Sequence, residues 1–282
     1  MRLWSRSRRD EGLTVGLVPT MGYFHEGHLR LIEQAKAIAD TVVVSLFVNP
    51  IQFGPQEDLA AYPRDLARDR AAALARGADC LFVPAERDMY PAPQVVRVVP
   101  RSLADHLCGA RRPGHFEGVL TVVLKLLNIV EPQVAVFGRK DVQQAVLIRR
   151  MVGDLNVATE IVIAPTVREA DGLAMSSRNA YLTPEERRVA PALARGLEAA
   201  HAAFAAGVRD VGALLAAARA PIEEVGALAL EYLEIVDPVS LAPSDAPGEE
   251  SIVAVAARLG AARLIDNVTL GEGTSGDVRV GA

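Results

Sequence analysis

Cysteine is almost missing from this chain of 282 residues, with Cys80 and Cys108 its whole supply. Two cysteines cannot build a disulfide framework, and they lack the close pairing of a zinc ligand set, so a reducing compartment is expected, with cytoplasm the default. Long hydrophobic runs are missing too. Uncharged apolar stretches such as Thr41 to Pro50 are broken by Pro or Asn, well short of the roughly 20 residues a bilayer span needs, which predicts a soluble protein. The arginine-rich start, Met1 to Asp10, runs into Glu11 and Gly12 rather than into an apolar segment, so no secretory signal is read there. Positive charge is not in excess. The formal net charge is -5, with acids and bases mixed, and no basic stripe suits a phosphodiester backbone, which argues against nucleic acid as a partner. Lysine is scarce as well: of 30 basic residues only Lys36, Lys125 and Lys140 are lysines. Neither a Walker A sequence nor Gly-x-Gly-x-x-Gly occurs, so neither a P-loop NTPase nor a dinucleotide fold is supported.

What is present is a chain 50% hydrophobic, longer than the roughly 100–200 residues of a single typical domain and able to bury a sizeable core. Short apolar runs alternate with helical patterns. Strands are predicted at Thr14–Val18, Val42–Phe47, Cys80–Val83, Val134–Phe137 and Ala158–Ile163, with helices at His28–Asp40, within Asp65–Arg76, around Val119–Ile129 and at Asp141–Asp154. Apolar runs without alternation mean strands covered on both faces, hence a parallel α/β sheet. From Val167 to Asn179 the sequence is polar and has no sustained period, which reads as a linker and loop. Thr183-Pro184-Glu185-Glu186 then marks a helix start, with Thr as N-cap, Pro in the first turn and Glu at the third position. An alanine-rich helix, further helix to about Ala227 and strands at Glu231–Val236, Ile252–Ala257 and Arg263–Val268 predict a smaller α+β domain. The boundary falls near Val167, giving domains 1–167 and 168–282.

Three segments carry chemistry. Pro19 to His28 lies between the first strand and first helix, where an open parallel sheet binds ligands and a helix N-terminus offers unpaired N–H groups to phosphate. His25 and His28 are three apart there, so both rings can face one ligand, and Gly22 and Gly27 let backbone approach closely. Such donors stabilise charge building on phosphoryl oxygens, each worth about 2.7–4 kcal/mol of barrier. A zinc protease is disfavoured, since its histidines are spaced i, i+4. Phe137 to Gln144 occupies a second strand-to-helix junction: Gly138 permits close approach, Lys140 suits a phosphate, and Asp141 suits ribose hydroxyls, although Asp141 with Gln144 would equally serve as an ordinary cap. Met175-Ser-Ser-Arg-Asn179 offers hydroxyls and a guanidinium to outer phosphates, and alone is common loop composition.

Together, Val18-Pro-Thr-Met-Gly22 through His28, Phe47-Val-Asn-Pro-Ile-Gln-Phe53, Phe137-Gly-Arg-Lys-Asp141 with Gln144, and Met175-Ser-Ser-Arg-Asn179 resemble the pantothenate synthetases, nucleotidyltransferases with a His-x-Gly-His signature. Tyr62-Pro-Arg64 and Arg111 to Phe116 are weaker matches. The resemblance implies a Rossmann-like parallel-sheet nucleotidyltransferase domain with a smaller C-terminal lid domain. It implies ATP-dependent condensation of pantoate with β-alanine through a pantoyl-adenylate. His28 would take the acid role, with His25 and Lys140 as further catalytic groups. ATP would be held by Met21, Gly22, His25, His28, Gly138, Lys140, Asp141, Val167, Met175, Ser176, Ser177 and Arg178; Gln52 and Gln144 would bind pantoate. Mg²⁺ is implied with the phosphates, Asp69 being the candidate to stand near it, and a homodimer is implied. The family's lead-in before the first strand is longer; here Met1 to Leu13 precede it, a shortened helix by expectation. Other readings of the signature are an adenylyl- or cytidylyltransferase for another acceptor, or a module that holds a nucleotide without turnover. Gln52 argues for pantoate. The segment from Glu169 to Asn179 is expected to be mobile until ATP orders it.

Overall fold

The computed structural model describes residues 1–55 and 57–281, and divides the chain into two compact units. The first comprises residues 1–101, 112–139 and 144–164, and the second 102–111, 140–143 and 165–282.

The first unit is built on a five-stranded parallel sheet, ordered β3-β2-β1-β4-β5, with β1 at Val15–Thr20, β2 at Thr41–Leu46, β3 at Cys80–Phe82, β4 at Val134–Gly138 and β5 at Glu160–Ala164. Every residue of β2 is buried, as expected of a strand covered by helices on both faces. Helices α1 (Arg2–Asp10), α2 (Glu26–Ile38), α3 (Leu66–Ala75), α4 (Glu86–Met89), α5 (Leu107–Arg111), α6 (His115–Val130) and α7 (Val142–Asp154) complete this part of the chain, α5 belonging to the second unit. α1 is the short lead-in helix. Val18, Ile32, Ala35, Val42, Val44 and Val136 form a core between sheet and α2. Strand order reverses between β1 and β4, the switch point at which open α/β sheets bind ligands outside their carboxyl ends.

In the second unit β7 (Ala229–Val236), β8 (Ile252–Leu259) and β9 (Ala262–Thr269) make an antiparallel sheet packed by α9 (Ala192–Ala205) and α10 (Val211–Glu223) through Leu193, Leu197, Leu214, Val253 and Val255. α8 (Pro184–Val189) begins as predicted: Thr183 Oγ1 accepts the Glu186 N–H, and the Glu186 carboxylate accepts the Thr183 N–H at 2.8 Å. The alanine-rich stretch is broken at Pro191 into α8 and α9, and α10 ends at Glu223 rather than near Ala227.

One segment differs from its sequence reading. Val167–Glu169 is not part of a linker but a strand, β6, paired in parallel with β10 (Val278–Val280). The chain then turns at Gly172, where φ is +92°, and returns so that Met175 N–H bonds Val167 C=O and Glu169 N–H bonds Leu173 C=O. Among the described residues no helix is long and apolar enough to cross a membrane.

Candidate active site

The loop leaving β1 is shaped by its glycine and by what lies beneath it. Gly22 has φ +84°, and a Cβ there would stand 2.9 Å from Asp69 Oδ2, so both conformation and space select glycine. Tyr23 follows, also left-handed at φ 53°. The Asp69 carboxylate accepts Tyr23 N–H at 2.6 Å and Phe24 N–H at 2.7 Å, while Arg68 donates to Phe24 C=O at 3.0 Å and lies over the Tyr23 ring. Two successive residues at the start of α3 thus grip the loop's main chain on both its donors and its acceptor. Asp69 itself is 1% exposed, and each of its oxygens accepts one backbone N–H of the loop. Among the described residues no group of three or more His, Cys, Asp or Glu is arranged to hold a metal ion.

His25 is the N-cap of α2, and its Nδ1 accepts Gly27 N–H at 3.1 Å; His28 Nδ1 faces His25 N–H at 3.4 Å. A backbone N–H can only donate. Each Nδ1 is therefore an acceptor, and a neutral ring must carry its proton on Nε2. The rings lie with centroids 4.1 Å apart. The result is a pair of half-buried imidazoles at a helix N-terminus, each turned by the backbone so that its outer nitrogen is a donor.

Next to this loop stands Gln52, at the end of a 3₁₀ turn, Pro50–Gln52, that follows β2. Its Nε2 is 3.3 Å from Met21 Sδ, which places the predicted pantoate ligand against the predicted nucleotide loop. The amide's orientation is fixed by a chain of partners. Asn49, 1% exposed, donates through Nδ2 to Gly118 C=O at 3.1 Å and to Gln52 Oε1 at 2.9 Å, and its Oδ1 accepts the Tyr90 hydroxyl at 2.7 Å. A carbonyl can only accept, so Gly118 settles which end of Asn49 is nitrogen, and Asn49 settles that Gln52 turns its NH₂ away from it. Burial pushes the Tyr90 hydroxyl up to about 12, which keeps it a donor. Sequence reasoning missed Asn49, Tyr90 and Gly118; the phrase Phe-Val-Asn-Pro-Ile-Gln-Phe contained the first, but only the fold supplies its partners.

Lys140, Asp141, Val167 and Met175 to Arg178 all lie in the second unit. Gly138 ends β4, and a Cβ on it would meet nothing within 4 Å. Lys140 is paired with its neighbour, Nζ to Asp141 Oδ2 at 3.2 Å, and its carbonyl accepts Asn267 Nδ2 at 2.8 Å. Ser176 caps a 3₁₀ helix, Ser177–Tyr181, by accepting Arg178 N–H at 3.2 Å. The adjacent glutamines of α7 part company. Gln143 is buried and holds the carbonyls of Leu103 and His106 and the N–H of Gly109, whereas Gln144, one residue on in the first unit, is half-buried.

Comparison with known proteins gives consistent matches. The family model described as Pantoate-beta-alanine ligase matches residues 1–269. Pantothenate synthetase 1 of Bradyrhizobium diazoefficiens is 55% identical over 263 residues, spanning 93% of this chain and 92% of its own. The crystal structure of the Thermus thermophilus enzyme, named pantoate-beta-alanine (pantothenate synthetase), superposes with a TM-score of 0.89 at 49% identity, covering 91% of this chain and 93% of that one. A Francisella tularensis pantoate-beta-alanine ligase complexed with beta-gamma ATP and beta-alanine matches at TM-score 0.78 and 34% identity, with 96% of each chain covered.

Proposed function

The chain belongs to the pantoate-beta-alanine ligase family, and from that premise we propose how its own residues carry out the ATP-dependent joining of pantoate to β-alanine. The observation that carries the reading is the His25 and His28 pair at the start of α2, set on a loop held by Arg68 and Asp69 and touching Gln52 through Met21. The relatives' names, pantothenate synthetase and pantoate-beta-alanine ligase, support pantoate over another acceptor and turnover over simple nucleotide binding.

The pantoate carboxylate attacks the α-phosphorus of ATP, and the bond to pyrophosphate breaks. Pyrophosphate takes the electron pair, and the Nε2–H donors of His25 and His28, with the charge of Lys140, stabilise it as it leaves. The β-alanine amine then attacks the acyl carbon of the bound adenylate, AMP departs and the amine loses its proton. Gln52 presents N–H to an oxygen of pantoate, and Gln144 is its second amide. Met21, Gly22, Gly138, Asp141, Val167 and Met175 to Arg178 hold the nucleotide, with Arg178 on phosphate oxygens. Catalysis here is positioning and charge stabilisation, with no covalent enzyme intermediate. Asp69, beneath the loop, is the carboxylate proposed to stand near Mg²⁺; among the described residues no group of three or more His, Cys, Asp or Glu is arranged to hold a metal ion. Mg²⁺ is taken to arrive on the phosphates, where it would neutralise charge. A cytoplasmic homodimer is the accompanying proposal.

The reading is tested by incubating the protein with ATP, Mg²⁺ and pantoate alone: ¹⁸O in ATP should scramble through a reversible adenylate, while AMP accumulates only when β-alanine is added. His28→Ala and Lys140→Ala should each slow single-turnover adenylation by roughly two orders of magnitude. Near-normal adenylation in both would show that the phosphates lie elsewhere.

A further inference from the structure

We propose that His115 is a positioning residue for the pantoate site, acting through the main chain of Gln52; the proposal rests on the reading of Gln52 as a pantoate ligand. The 3₁₀ turn that carries Gln52 has little strength of its own. Its two closing bonds are long, Gln52 N–H to Asn49 C=O at 3.4 Å and Phe53 N–H to Pro50 C=O at 3.3 Å. What fixes the turn comes from the start of α6.

His115, buried at 9% exposed, sets Nδ1 2.9 Å from the Gln52 carbonyl oxygen, and Arg112 Nη1 stands 2.9 Å from His115 Nε2. The polarity of this relay is forced at both ends. A guanidinium has only donors and a carbonyl only lone pairs, so Nε2 must accept and Nδ1–H must donate. His115 is therefore neutral and in the Nδ1–H form, the opposite tautomer to that imposed on His25 and His28. Arg112 is itself anchored by a two-pronged pairing with Glu57, Nε to Oε1 at 2.7 Å and Nη2 to Oε2 at 2.6 Å. Burial opposes ionisation of Glu57, but the hydrogen bond and charge of Arg112 outweigh it and hold the carboxyl below its ordinary value.

Gly118, on the same helix, brings the two backbones together: a Cβ there would fall 2.4 Å from Ile51 O and 2.6 Å from Gln52 Cα. Glu57, Arg112 and His115 thus form a line ending on the Gln52 carbonyl, while Asn49 holds the Gln52 amide group. The main chain and side chain of one ligand are fixed by separate partners. Loss of the first lets the turn move without disturbing the loop between β1 and α2.

Steady-state kinetics with each substrate varied, on the native enzyme and on Gln52→Ala, His115→Ala and His115→Asn, tests this. His115→Ala should raise the KM for pantoate roughly tenfold, as the loss of one buried hydrogen bond implies, and leave the KM for ATP within about twofold. His115→Asn, whose amide can donate in place of Nδ1–H, should recover most of the loss. In ¹⁵N-histidine-labelled native protein, the ring nitrogens of His115 should report a neutral Nδ1–H tautomer at neutral pH, a measurement that needs no variant to fold. The proposal falls if Gln52→Ala raises the pantoate KM but His115→Ala does not. It also falls if both KM values rise together, if the asparagine fails to restore what alanine lost, or if His115 is charged or protonated only on Nε2. An unchanged pantoate KM in Gln52→Ala would remove the reading of Gln52 itself, which separates that failure from a failure of the relay.

Discussion

Arg68 and Asp69 illustrate how a residue far from the signature decides what the signature can do. His25 and His28 can aim their outer nitrogens only because Tyr23 and Phe24 are pinned by the Asp69 carboxylate. Asp69→Ala should therefore lower adenylation at least about tenfold. It should also lower the urea midpoint, because hydrogen bonds to a charged group contribute about 1.5–3 kcal/mol each and the two loop N–H groups would be left unpaired. Unaltered stability and activity would contradict the role. Glu57 makes a second prediction, in pH. Its folded value lies below the ordinary 4.5 because Arg112 outweighs the opposing effect of burial, so the pairing stabilises the folded state above that pH and is lost as pH falls through the depressed value. Between about pH 5 and pH 3, chemical denaturation should show native stability falling more steeply than that of Glu57→Gln; parallel slopes would mean that the pairing contributes nothing. The histidines could be picked out by residue type and place in the sequence, and Gln52 by the family resemblance of the phrase around it. Asp69 was conspicuous only as a carboxylate, and the loop it grips lies more than forty residues away in the chain.

At the scale of elements, the segment after Pro165 is the instructive one. Val167-Arg168-Glu169 is short and two-thirds charged, so it carries no strand period, and its partner Val278–Val280 lies at the far end of the chain. No local pattern could announce that pairing. Once paired, the segment folds back through the Gly172 turn, and the Asn179 side chain ties it to Glu169 Oε1 and Ala174 C=O at 3.1 and 3.2 Å. The bonded amides of Glu169, Gly172 and Met175 should exchange slowly without nucleotide, so any ordering by ATP should be confined to Ser176–Asn179. Hydrogen exchange with and without a non-hydrolysable ATP analogue decides this: fast exchange of all these amides in the free protein would restore the mobile segment that the sequence suggested. The start of α8 went the other way. Its Thr-Pro-Glu-Glu signal is local chemistry, and the structure reproduces it bond for bond.

For the fold as a whole, the most consequential charge is buried. Arg168, 0% exposed, meets Asp266 through Nη1 at 2.6 Å and Nη2 at 3.0 Å, and Asp277 through Nε at 2.6 Å. These groups come from β6, β9 and the segment leading to β10, so the second unit is laced together by one guanidinium. The two carboxylates raise its pKa against the opposing effect of burial. Arg168→Met should cost roughly 3–5 kcal/mol, because it strands two carboxylates in the interior. Replacing Asp266 and Asp277 as well should recover part of that loss. Urea denaturation measures both, and a fully stable Arg168→Met would show that the lattice of charges is dispensable.

The sequence by itself determined the alternation of strands and helices, the parallel sheet, the capped start of α8 and the place of His25 and His28 at a strand-to-helix junction. These are written in short-range periodicity, in turn residues and in the position of polar groups at strand ends. Only the tertiary structure decided which tautomer His115 takes, that Asp69 grips the loop, that Gln143 is held by three main-chain groups, and that Arg168 finds two carboxylates. Each of those depends on a hydrogen-bond partner distant in sequence. A donor or acceptor has no direction until folding brings its partner to it.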